Sequence, residues 1–354
     1  MTSKERVLMT IAHEEPDRVP INYHANPGID ARLKRLLGLS IDDDEGLRRA
    51  LGVDIKGIHA PYTGSKLHAD PPSRRADNWG VRSRYVEHKS GGYWDFCDFP
   101  LVEATVEQAE AWPMPNPDDY NYEAIRRSAK ANQDYCVFVG RSGLGCIINR
   151  IGKLRSMDQI LVDLITDDPV AEILIDRKQK IELEITKREI EACSGYVDFL
   201  WMGEDLSTQR GPMISLDLYR RRIRPWHAKF VQLAKAYDLP VMFHSCGSCS
   251  WLFEDFVEIG IDAVETLQPE ARDMSPEYLK STFGDRLTFH GCMTTGGVMA
   301  NGSPGEVTEV TRDLLYTMMP GGGYCFAPSH QLQDNTPQEN ALAMYSAARK
   351  FGVY

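Results

Sequence analysis

Eight short β-prone runs alternate with longer helical patterns along this chain, and few folds accommodate that rhythm. The runs are residues 19–23, 53–59, 135–140, 198–203, 240–244, 261–266, 286–290 and 323–327, each dominated by apolar and β-branched residues. Helical patterns cover 30–37, 169–193, 216–237, 250–259, 275–283 and 304–318. Ser275-Pro276 and Ser303-Pro304 each place a capping hydroxyl before a proline at the first helical position, while Gly260 and Gly284 close their helices. Parallel strands need a crossover between them, so the alternation predicts an α/β protein, a (β/α)₈ TIM barrel, as a single domain over residues 1–354. An insertion is expected at about 66–117 in the amino-terminal half. There Gly91-Gly92-Tyr93-Trp94-Asp95 reads as part of a β-hairpin, and Trp112-Pro113-Met114-Pro115-Asn116-Pro117 as an irregular strap. The competing architecture, an open doubly wound sheet, finds no support, because neither G-x-G-x-x-G nor G-x-x-x-x-G-K-[ST] occurs.

Charge narrows the partners. Forty Lys+Arg stand against 51 Asp+Glu, a formal net charge of -11 with no basic run, so neither nucleic acid nor an anionic membrane surface is an expected partner. Met1-Thr2-Ser3-Lys4-Glu5-Arg6 leads directly into an amphipathic segment, and no apolar stretch is long enough to span a bilayer; the expectation is a cytoplasmic protein. Its eight cysteines are then expected to be reduced, with Cys97, Cys136, Cys146, Cys193 and Cys325 acting as small hydrophobes.

In a barrel enzyme chemistry sits where strands pass into the following loops. Those positions carry His24, His59, Arg141, Glu204-Asp205, His244-x-Cys246, Gln268, His290-Gly291-Cys292 and Ser329-His330. Residues two apart on a strand project to one side, so His244 and Cys246 can offer a nitrogen and a sulfur to one ion. Zinc accepts mixed N/S ligands, and a catalytic zinc takes three from the protein and keeps a fourth position open. His330 is the first choice for the third ligand, then Cys292, then Cys249. Cys246-Gly247-Ser248-Cys249 also matches C-x-x-C, but the βαβ context of a thioredoxin-like redox pair is missing.

These residues bring the chain close to a known group. Glu15-Pro16-Asp17-Arg18-Val19-Pro20, the stretch Gly203-Glu204-Asp205-Leu206-Ser207-Thr208-Gln209-Arg210-Gly211-Pro212, Arg224-Pro225-Trp226-His227, His244-Ser245-Cys246-Gly247, and Gly321-Gly322-Gly323-Tyr324 through His330 resemble the uroporphyrinogen decarboxylase superfamily. That superfamily also holds methylcobalamin:coenzyme M methyltransferases and other corrinoid-dependent enzymes. The resemblance leans to that branch: the arginine-rich stretch of the decarboxylases is replaced by Ile21-Asn22-Tyr23-His24-Ala25-Asn26-Pro27, whereas H-x-C on the fifth strand matches the methyltransferases.

The resemblance implies a Zn²⁺-dependent methyltransferase. It would move a methyl group between a corrinoid, either methylcobalamin or a separate corrinoid protein, and a small thiol, phenol or methoxylated substrate. A tetrapyrrole-type decarboxylase and a non-catalytic corrinoid- or tetrapyrrole-binding protein are the alternatives. His330 stands where the methyltransferases carry cysteine, which makes the expected zinc site one unit less negative and a bound thiolate a weaker nucleophile. Glu204 or Asp205 is the candidate to orient a zinc ligand or carry a proton. Arg141 or Gln209 is the candidate to hold a polar or anionic substrate group, and Tyr93, Trp94 and Phe96 are candidates to cap an apolar one. A homodimer through the amino-terminal region is the further partner expectation.

Overall fold

Seven of the eight apolar runs become strands of one parallel sheet: β1 (Ile55–Gly57), β2 (Cys136–Gly140), β3 (Phe199–Gly203), β4 (Val241–Ser245), β5 (Ala263–Thr266), β6 (Thr288–Met293) and β7 (Tyr324–Pro328). The structure, a computed structural model, describes residues 1–88 and 91–354; residues 89 and 90, inside the expected insertion, lie outside the described residues. Neighbours in the sheet are neighbours in this order, so each parallel pair is joined by a crossover. Strands β4 to β7 are buried along their whole length, as a sheet covered on both faces requires.

The eighth expected stave, residues 19–23, forms no ladder. Ile21 makes one parallel bridge to Phe326. Asn22 N–H donates to the Phe326 carbonyl at 2.9 Å, and Phe326 N–H to Pro20 at 2.8 Å. On the other side Asp54 N–H donates to the Ile21 carbonyl at 2.8 Å. Pro20 has no N–H to give, which keeps this pairing short. Both edges of the seven-stranded sheet nonetheless reach the same segment, so the sheet is curled into a TIM-barrel-like form.

Two cores result. The larger fills the space between strands and helices; the smaller lies inside the curl and comprises Val7, Ile55, Cys136, Phe138, Phe199, Met242, Ala263 and Cys325, with Ile11 and Trp201 packed on it. Val7 and Ile11 come from the helix Ser3–Ile11, which brings its apolar side to this inner core. At that same end buried Asp54 accepts from Arg6 Nη1 at 2.7 Å, Arg18 Nη1 at 2.7 Å, Ser3 Oγ at 2.9 Å and the Ile21 N–H at 2.9 Å. This network gives the Asp17-Arg18-Val19-Pro20 motif a structural task remote from the ligand-bearing strand ends.

Residues 66–117, where an insertion is expected, contain a three-stranded antiparallel sheet of Arg75–Ala76, Arg82–His88 and Gly91–Cys97, followed by the helix Val106–Ala111. Tyr93 and Trp94 are 52% and 42% exposed, and the Arg75 guanidinium lies 4.2 Å from the Trp94 ring centroid. Trp94 is thus engaged by a cation on the short strand of the same small sheet.

Candidate metal site

β4 carries His244 at its last turn into the loop, and the register fixes what surrounds it. Gly203, His244, Glu265 and His290 are successive partners across β3, β4, β5 and β6, so they form one row across the sheet. Gly203 is what lets the row close: a Cβ there would stand 2.5 Å from both His244 Cβ and the His244 carbonyl oxygen.

Glu265, 3% exposed, takes the Nδ1–H of His244, and Thr266 Oγ1 stands 2.9 Å from the same nitrogen. Nε2 therefore faces the loops. Cys246 Sγ lies 3.4 Å from it and Asp205 Oδ1 3.5 Å. Asp205 is steadied by the Cys246 N–H at 2.9 Å and by Asn149 Nδ2 at 2.8 Å. Among the described residues, Asp205, His244 and Cys246 form a group whose ligand atoms all lie within 4.8 Å of one another.

The donor set fits zinc. Ligands on tetrahedral arms of 2.0–2.3 Å stand about 3.4–3.6 Å apart, close to the two separations that share His244 Nε2. The carboxylate behind Nδ1 is the usual outer support of a metal-bound histidine, because it fixes the ring and directs the free nitrogen outward. In the ion-free protein the same neighbours set the charges. Burial opposes an imidazolium at His244, but Glu265, Asp205 and Cys246 outweigh it and hold the group well above its ordinary value. Burial raises Glu265 and Asp205 while His244 pulls both down, Glu265 to about 2 and Asp205 well below the carboxylate range. Burial pushes the Cys246 thiol up against the pull of His244.

The other candidates separate. Glu204 is buried and turned to a helix start: it accepts the Ile148 N–H at 3.0 Å and the Cys146 thiol at 3.0 Å, and its other oxygen takes the Ile147 N–H. Asp205 alone of that acidic pair joins the cluster. His330 faces His244, ring centroids 6.3 Å apart at 61°, so it borders the cluster while Asp205 is the tight third member. Cys249 is fully buried with its thiol pushed up to about 12 by burial, and it donates to the Ser245 carbonyl at 3.5 Å. Cys292 is buried and lines another cavity together with Pro269, Pro276 and Leu314, residues distinct from the cluster. Gln209 reaches the site indirectly: its Nε2 donates to Gln268 Oε1 at 2.9 Å, which also accepts the Gly247 N–H. Arg141 pairs with Glu182 at 2.6 Å in an adjoining cavity that His59 also lines.

Three functional neighbours were not singled out from sequence for their part here: Glu265, Asn22 and Trp201. Asn22 Nδ2 lies 3.0 Å from Nε2 of both His24 and His290, and its Oδ1 accepts the Tyr23 N–H, which fixes the amide's orientation. The Trp201 ring lies 5.4 Å from His24 and 6.5 Å from His244. Burial lowers His24 to about 4, so it is neutral at pH 7. The clue to Glu265 was available: a carboxylate in the apolar run Ala263-Val264-Glu265 needs a partner.

A methyltransferase from Methanosarcina mazei superposes with a TM-score of 0.68 over 99% of both chains at 16% identity, a likeness of fold. A uroporphyrinogen decarboxylase of Coxiella burnetii is 23% identical over 267 residues, 72% of this chain and 70% of its own. The methylated-thiol–coenzyme M methyltransferase of Methanosarcina mazei is 27% identical over 139 residues, 39% of this chain and 34% of its own. Among the described residues, no helix is long and apolar enough to cross a membrane. The uroporphyrinogen decarboxylase (URO-D) family matches residues 100–351, and the chain belongs to that family.

Proposed function

We propose that this protein is a zinc-dependent methyltransferase that moves a methyl group between a corrinoid, free or carried by a separate protein, and a small thiol, phenol or methoxylated substrate. One observation carries the reading: the Asp205, His244 and Cys246 ligand atoms converge within 4.8 Å at the mouth of the curled sheet. Asp205, His244 and Cys246 would hold the ion, which when bound supplies Lewis acidity toward a thiol, phenol or methoxyl oxygen. Asp205 also changes the charge argument. One thiolate, one carboxylate and one imidazole carry the same total charge as two thiolates and one imidazole, so the weakening expected from His330 in place of cysteine is offset.

The chain's own groups then have defined work. Glu265 keeps the His244 proton on Nδ1, so Nε2 stays available as a donor atom. His330, whose proton affinity is lowered by burial and by His244, is a neutral imidazole at the rim, suited to accept the proton of a thiol or phenol as it binds. Trp201 and His24 form an aromatic wall beside His244 and limit water there.

The test is elemental analysis of the purified protein together with demethylation of methylcobalamin by a panel of thiols and phenols. Zinc near one per chain, lost with activity in His244→Ala and Cys246→Ser, is the expected result. Zinc-free protein in which both variants retain wild-type transfer would overturn the reading. The relation to the Coxiella decarboxylase over 72% of the chain favours a second reading, decarboxylation of a polyanion. Release of CO₂ from a porphyrinogen by metal-stripped protein would establish it.

A further inference from the structure

A cavity of about 320 Å³ opens where β1 and β2 pass into their loops, walled by Tyr62, Trp79 and Tyr120 and carrying Arg141 and Glu189. It adjoins the metal cluster: Gly140, on its lining, is the register partner of Trp201, whose ring lies 6.5 Å from that of His244. Its volume is at the small end of ligand pockets. The walls are aromatic on several sides, with the Tyr62 and Tyr120 rings edge to face at 5.3 Å and Leu144 and Ile185 filling between them.

The charges there do not cancel. Arg141 Nη2 donates to Glu182 Oε1 at 2.6 Å, and Lys178 Nζ to Glu182 Oε2 at 2.5 Å, so two cations share one carboxylate. Lys178 and Glu182 are each 2% exposed, whereas the Arg141 side chain is 47% exposed and keeps the rest of its guanidinium fork available. Arg150 adds positive field to both Lys178 and Glu182. Glu189 is the opposing group. Burial raises it to about 7 against the Ala60 N–H and Arg141, so it contributes little negative charge in mildly acidic solution. A guanidinium fork beside a surplus positive charge matches one planar carboxylate in bidentate fashion. A multiply charged macrocycle would need more cations than these.

We propose that this cavity binds an aromatic monocarboxylate, with Arg141 on the carboxylate and Tyr62, Trp79 and Tyr120 around the ring. That the bound molecule is the methyl-transfer substrate rests on the function proposed above; the binding itself does not. Calorimetric titration with benzoate, which has no methyl ether or thiol to react, separates the two. Benzoate should bind at least tenfold more tightly than benzamide, with equal affinity for zinc-loaded and metal-stripped protein. Arg141→Gln should abolish that preference and Arg141→Lys restore part of it, while Tyr120→Leu weakens both ligands. Equal affinity for benzoate and benzamide in the unaltered protein would overturn the proposal even if Arg141→Gln fails to fold. Benzoate binding that vanishes on metal removal would also overturn it, since the carboxylate would then be on the ion. Tight benzoate binding without any methyl transfer would leave this inference standing and remove the proposed function instead.

Discussion

Replacing Glu265 tests whether the row of residues across β3 to β6 was built to hold an ion. The carboxylate is 3% exposed and takes the His244 Nδ1–H. Glu265→Gln keeps the shape and an accepting oxygen but exchanges a charge-assisted bond for a neutral one, roughly half as strong. Outer carboxylates of this kind are worth about 10- to 100-fold in metal affinity, or about 1.4–2.8 kcal/mol. The conservative amide should therefore weaken zinc binding about 10-fold, and Glu265→Ala, which removes the acceptor as well, about 100-fold. Competition against a chromophoric zinc chelator at pH 7.5 reads both constants. Near-ultraviolet circular dichroism checks that the aromatic core of the curled sheet is still packed. If both folded variants bind zinc within twofold of the unaltered protein, Glu265 does not orient a metal ligand.

Three further outcomes follow from the same structure. Gly203→Ala, whose new Cβ would meet His244 at 2.5 Å, should cost about 1–3 kcal/mol by denaturant titration and weaken zinc binding, whereas Gly296→Ala, with open space around it and no positive φ, should leave the metal untouched. Asp54→Ala leaves Arg6 paired with Asp17 alone and removes the acceptor of Arg18, Ser3 Oγ and the Ile21 N–H, and should destabilise the protein by about 1–3 kcal/mol without changing zinc affinity; unchanged stability would refute the network's role. Glu189, raised to about 7 by burial, makes the folded protein bind a proton that the unfolded chain has released, so stability falls as pH rises from about 4.5 to 7, by about 3 kcal/mol. Glu189→Gln should flatten that slope in denaturant titrations at pH 5 and pH 8, and an unchanged slope would show that the group is not buried as described.

What could be read in the sequence depended on how far apart the interacting residues lie. Helix starts are local, and Ser275 and Ser303 cap as expected: Ser275 Oγ accepts the Tyr278 N–H and Ser303 forms a capping box with Glu306. Apolar runs are nearly local, and seven of the eight became strands. The run at 19–23 did not, because Pro20, its second residue, removes a ladder donor whatever the hydrophobic pattern says.

The site follows the same rule one level up. His244 and Cys246 are two apart on one chain segment, so strand periodicity alone brought them together. Glu265 is adjacent to His244 only because β4 and β5 pair in one particular register, and a slip of one residue would have turned its carboxylate into the helix layer. Glu204 and Asp205 show the limit most clearly. They are consecutive, equally acidic and leave the same strand, yet one caps the helix Ile148–Arg155 and the other faces His244 Nε2 at 3.5 Å. Composition cannot divide those tasks, because the division is made by where the β3 loop turns. The choice nonetheless sets the charge of the proposed metal site, since Asp205 supplies the anion that His330 does not.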